Sequence, residues 1–188
     1  MNHRDRAIKV GVTGHRFLRD LPILTEAIQM ALDRIAARYP GRPLTLYSPL
    51  AAGTDQLAGL AALEKGVEIV AVMPYEQKRY LESIPQPDRD TFSRLAAEAF
   101  GTFQLNGDIE GEDKYLALAE FLVKQMDVLI AVWNGQPARG PGGTGEVVER
   151  FRQTGKPLVW IRADNMLPEK PVFLPPILEP GSIFYENW

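Results

Sequence analysis

The chain has 188 residues, 45% of them hydrophobic, enough for one sizeable core in a single domain spanning residues 1–188. Its 21 basic and 24 acidic residues leave a net charge of -3, which excludes a global positive field for holding nucleic acid. With no cysteine and only two histidines, His3 and His15, disulfides and thiolate metal sites are excluded and neither metal nor cofactor is expected. No apolar run reaches the roughly 18 residues that span a bilayer, and MNHRDRAIKV has no apolar leader core, so the reading is of a cytoplasmic protein without a membrane segment.

In chain order, Ala7 to Thr13 is a short β-branched run that ends at Gly14-His15-Arg16. Leu24, Ile28, Ala31, Leu32 and Ile35 then recur at helical spacing until Tyr39-Pro40-Gly41. Leu44 to Tyr47 predicts a second strand, Ser48 to Asp55 a loop of small residues, and Gln56 to Lys65 a helix stopped by Gly66. Val67 to Met73 is a third strand, closed by Pro74. Tyr75 to Asp90 is polar, holds two prolines and shows no clean period, which suits a binding segment or an ordinary surface excursion. Phe92 to Phe100 reads as a helix, Thr102 to Leu105 as a short strand, and Asn106 to Gly111 as a turn-rich link. Glu112 to Met126 gives the next helix, opened by Lys114 and Tyr115, to which no phase is assigned.

Asp127 to Glu149 is the stretch the rest serves. It predicts a buried strand, Val128 to Trp133, then a glycine-dense loop, then a helix whose first turns carry Glu146 and Glu149. Glycines let backbone approach a ligand, and the amides and dipole of a helix N-terminus favour an anion. Leu158 to Arg162 is a last clear strand, and residues 164–188 read as an extended proline-rich tail laid over the body or a partner subunit. Apolar strands alternating with helices specify an α/β fold, Rossmann-like and doubly wound, with a mainly parallel sheet and helices on both faces. Its ligand edge gathers Thr13 to Arg16, Ser48 to Asp55 and Arg139 to Glu146.

Ser48-Pro49-Leu50-Ala51-Ala52-Gly53-Thr54-Asp55 resembles the S-G-L-A-x-G-I-D signature of the DNA-processing A (Smf) proteins. Pro141-Gly142-Gly143-Thr144-Gly145-Glu146-Val147-Val148-Glu149 resembles the P-G-G-x-G-T-x-x-E signature of the Lonely Guy phosphoribohydrolases. Both families belong to the Rossmann-like SLOG superfamily, and the resemblance covers roughly residues 7 to 162. It implies a nucleotide-like small-molecule ligand and a homodimer, the latter also suggested by the aromatic tail. In the hydrolase branch it implies cleavage of the N-glycosidic bond of a nucleoside 5'-monophosphate, with Glu149 at the catalytic glutamate and Glu146 able to share the acid–base work. Two positions depart from that branch: Glu146 replaces a threonine, and the helix before the central strand has no arginine, for which Arg139 or Arg16 are the substitutes at hand. The DNA-processing branch implies binding of single-stranded DNA, which the acidic composition disfavours.

The candidate ligand residues are therefore Thr13, Gly14, His15, Arg16, Ser48, Gly53, Asp55, Trp133, Asn134, Arg139, Gly142, Gly143 and Thr144. Arg16 offers a planar fork and His15 a donor for phosphate. Asp55 fits either ribose hydroxyls or a helix N-cap. Trp133 fits either a base or the core, and Asn134 could read a base edge. The expected role is nucleotide binding or sensing, with N-glycosidic hydrolysis through Glu149 or Glu146 as the alternative.

Overall fold

A computed structural model describes residues 6–105, 113–166 and 178–188. The apolar runs become β1 (Ile8–Gly14), β2 (Leu44–Ser48), β3 (Glu68–Met73), β4 (Gly101–Gln104), β5 (Val128–Trp133) and β6 (Leu158–Arg162), with β7 (Ile183–Glu186) added near the C-terminus. All lie in one sheet of order β4-β3-β2-β1-β5-β6-β7, parallel throughout except for β7, which runs antiparallel to β6. This is the expected Rossmann-like α/β architecture.

The two faces of the sheet are covered by different helices, and the period-2 alternation of each strand divides its side chains between them. On one face, α1 (Leu21–Arg38) and α2 (Thr54–Glu64) cover Val10, Val12, Leu46, Ile69, Val128, Ile130 and Val132. α1 starts with Pro22 in its first turn and buries Leu24, Ile28, Ala31, Leu32 and Ile35 on one stripe, as their spacing requires. α2 buries Ala58, Ala61 and Ala62, small side chains that let it lie close to α1 and β1. On the other face, α5 (Asp113–Gln125) and α6 (Thr144–Arg152) cover Leu129, Ala131 and Trp133 with Ala119, Leu122, Val147, Val148 and Phe151.

Two stretches differ from the sequence reading. Tyr75 to Asp90 is not irregular: it contains α3 (Gln77–Ser83) and a single 3-10 turn at Gln86–Asp88, followed by α4 (Arg89–Glu98). The Glu76 side chain caps α3 by accepting from the Lys78 and Arg79 amides at 3.2 Å each, and α3 buries only Tyr80, too little to make a period. The tail likewise ends in β7, fixed by the register Leu158↔Glu186 and by Arg152 gripping Glu186 through two bonds of 2.8 and 2.7 Å. The expected link at 106–111 lies outside the described residues, as do 167–177 of the tail. Among the described residues no helix is long and apolar enough to cross a membrane.

Candidate functional site

β2, β3 and β4 build outward from one side of β1, whereas β5 and β6 build from the other. The loops leaving β1 and β5 therefore part company, and a crevice opens between them at the carboxyl ends of the strands. A cavity of about 590 Å³ occupies it.

The β1 and β2 sides of the crevice are tied together. The Thr54 amide and hydroxyl both donate to the His15 carbonyl, at 3.0 and 2.9 Å. Gly53 makes this approach possible with φ of 81°, and a Cβ there would collide with the Arg16 carbonyl. Ser48 is fully buried beneath the loop, where its hydroxyl accepts from the Leu50 amide at 3.1 Å. Ser48 and Gly53 thus shape the wall without lining the cavity.

His15 lines the cavity with its ring bound from behind: the Asn134 amide donates to Nε2 at 3.0 Å, so the neutral ring carries its proton on Nδ1. Burial drives its pKa down to about 4, helped by the charges of Arg139 and Arg162 and opposed by the Asn134 side chain and Asp164. His15 is therefore a neutral donor at pH 7. Asn134 spends its Oδ1 on the Gln136 amide at 3.1 Å. Trp133 proves to be both core and wall, 6% exposed, with its indole N–H donated to the Gln136 carbonyl at 2.8 Å.

Arg16 stacks over the Tyr115 ring at 5.0 Å, and Lys114 lies 5.0 Å from the same ring and 3.4 Å from the Tyr75 hydroxyl. Burial opposes ionisation of the Tyr115 hydroxyl, but its hydrogen bond to Arg16 and the charges of Arg16 and Lys114 outweigh burial and lower its pKa. Asp55 is the acidic residue among those described that line the cavity. Only 9% exposed, it accepts from the Ala51 amide at 3.3 Å. Burial raises its pKa to about 7 against the opposing Ala51 bond and Arg16 charge.

The β5 side is the glycine loop. Gly142 takes φ of 68° and its backbone lies against that of Tyr115, so a Cβ would strike the Tyr115 carbonyl. Its amide is already engaged by Glu146 Oε2 at 2.8 Å, and the Gly143 amide by the Gly140 carbonyl at 3.2 Å. The first-turn amides of Thr144 and Gly145 remain to give α6 its anion-attracting end. Glu146 also pairs with Arg150 at 3.4 Å and Glu149 is exposed; neither lines the cavity. Thr13, Gly14, His15, Arg16, Asp55, Trp133, Asn134, Arg139, Gly142, Gly143 and Thr144 do line it, together with residues the sequence reading did not select: Phe17, Tyr80, Leu118, Leu122, Gln136 and Asn165. Tyr80 lay in a stretch without period, and the apolar α5 residues looked like ordinary core.

No family model matches the sequence, and no curated protein matches it either. Among solved structures, DNA processing protein A (DprA) from Streptococcus pneumoniae aligns over 81% of this chain and 49% of its own, at 19% identity and a TM-score of 0.56. The chain shares the fold of the aligned part of that protein. It spans about half the length of that protein. A second solved structure, of the protein TM1055, aligns over 80% of this chain and 72% of its own, at 17% identity and a TM-score of 0.48.

Proposed function

We propose that this SLOG-type crevice binds a nucleoside phosphate or related nucleotide and serves as a ligand-binding or sensing site. The observation that carries the reading is convergence: Arg16, the neutral His15 donor, Arg139 and the amide end of α6 all meet one cavity at the strand-order switch. Phosphate suits the amides of Thr144 and Gly145 with Arg16 or Arg139. A base suits the apolar wall of Leu118, Leu122, Val147 and Trp133.

N-glycosidic hydrolysis through α6 has weaker support, because Glu146 is committed to the helix start and Glu149 faces outward. Single-stranded DNA binding has the least, given the net charge of -3. Self-association as a homodimer also belongs to the proposal, although its footing shifts. Two of the described tail aromatics are spent within the chain, Phe184 on Trp160 at 4.9 Å and Trp188 under Arg38 at 5.1 Å. Phe100 just before the edge strand β4 and Phe103 within it, both exposed, are apolar candidates for a contact with a second copy.

The test is incubation with nucleoside monophosphates, NAD and ADP-ribose, following thermal shift and base release together. A shift without release is expected; at a ligand concentration a hundred times Kd it corresponds to about 2.7 kcal/mol of stabilisation. Release of base would overturn the sensing role, and no shift with any nucleotide would overturn nucleotide binding itself.

A further inference from the structure

Asp55 is a buried carboxyl group turned to use in neither the phosphate end nor the apolar wall. It enters the cavity from the β2 side of β1, whereas the glycine loop enters from the β5 side, so the two lie on opposite flanks of β1. With an anion at α6 and a base against α5, the part of a nucleotide left for the β2 flank is its sugar. The Ala51 amide holds Oδ2 and fixes the carboxyl in place, and Arg16 lends it positive charge. His15, Arg16, Tyr80, Tyr115 and Arg139 are the other titratable groups that line the cavity. His15, its pKa lowered to about 4 chiefly by burial, stays neutral from pH 8 to pH 6. Burial pushes the Tyr80 phenol far up, which keeps it neutral. An ionised carboxylate is an acceptor of hydrogen bonds and suits a pair of hydroxyl donors.

Resting on the nucleotide-binding reading, we propose that Asp55 makes the pocket selective for ribonucleotides by accepting the sugar cis-diol as a carboxylate, so that binding expels the proton from Asp55. The group is half protonated near pH 7 when the cavity is empty. Hydroxyl donors favour the ionised form and lower its pKa in the complex. Affinity for a ribonucleotide then falls as pH drops below 7, by up to about tenfold per pH unit until the complex itself protonates.

The probes are AMP, GMP, CMP and UMP, each beside its 2',3'-dideoxy counterpart, titrated calorimetrically from pH 8 to pH 6 in two buffers of different ionisation enthalpy. Wild-type protein is expected to bind the ribose form about ten- to a hundred-fold more tightly at pH 8, as hydrogen bonds to a charged group allow. It should release roughly half a proton at pH 7, beyond any proton change seen with the dideoxy form, which carries the phosphate's own titration. Asp55→Asn should bind both sugars alike and show no difference in proton release between them. Sugar discrimination and proton release are read on the wild type, so a poorly folded variant does not spare the proposal. Equal affinity for both sugars, or no extra proton release with ribose, would overturn it while leaving nucleotide binding intact. If no probe binds in either sugar form, the nucleotide reading fails as well.

Discussion

His15 and Asp55 titrate in opposite senses across one crevice. The His15 pKa is lowered from 6.5 to about 4, so the folded state disfavours its protonated form and loses stability as pH falls from 6.5 through 4. A difference of that size amounts to on the order of 3 kcal/mol. The Asp55 pKa is raised from 3.8 to about 7, so its contribution runs the other way: the fold gains stability as pH falls from 7 towards 3.8. Melting curves of the wild type alone would show the two partly cancelling. His15→Asn removes the acid-sensitive component, and its melting temperature should fall less than that of the wild type between pH 6.5 and 4, or rise. An identical pH profile in the two proteins would show that the buried imidazole is not what acid attacks.

The start of α6 separates structural from chemical roles for its two glutamates. Glu146 reaches back to the Gly142 amide, which it satisfies as a helix-start acceptor, whereas Glu149 stands in solvent one turn on. Glu146→Ala should therefore cost about 1 kcal/mol of stability, read by denaturant unfolding, while Glu149→Gln should stay within about 0.5 kcal/mol of wild type. Neither change should abolish the nucleotide thermal shift, and loss of the shift in Glu149→Gln would bring that carboxylate back into the site. At this scale the sequence was informative where one element carries its own pattern. β5 is apolar at every position, α1 repeats its stripe from Leu24 to Ile35, and the three loops of the crevice announced themselves by glycines and small residues. It was silent where structure comes from elsewhere. α3 is held by one capping carboxylate and one buried tyrosine, and β7 is half-buried along its length, so neither writes a period. The facing of Glu149 depends on helix phase within the fold, which motif spacing does not encode.

For the molecule as a whole, sheet order does more than any single residue. Placing β1 beside β5 puts three sequence-distant loops at one crevice, and no local signal of any of them specifies that adjacency. Charge acts at the same scale. The cations Arg16, Lys114 and Arg139 cluster near the crevice of a chain with net charge -3, which favours a small anion over a long polyanion. A fluorescent thymidine oligonucleotide should accordingly show no tight binding by anisotropy at 150 mM salt. Submicromolar affinity with a steep salt dependence would reinstate the single-stranded DNA reading.

The double donation from Thr54 to the His15 carbonyl bears on how fast a ligand is captured. It joins the β1 and β2 walls into one unit before anything binds, so that half of the crevice has little ordering left to do. For the proposed nucleotide, a wall held in place in this way favours fast association, because little has to be rearranged on encounter.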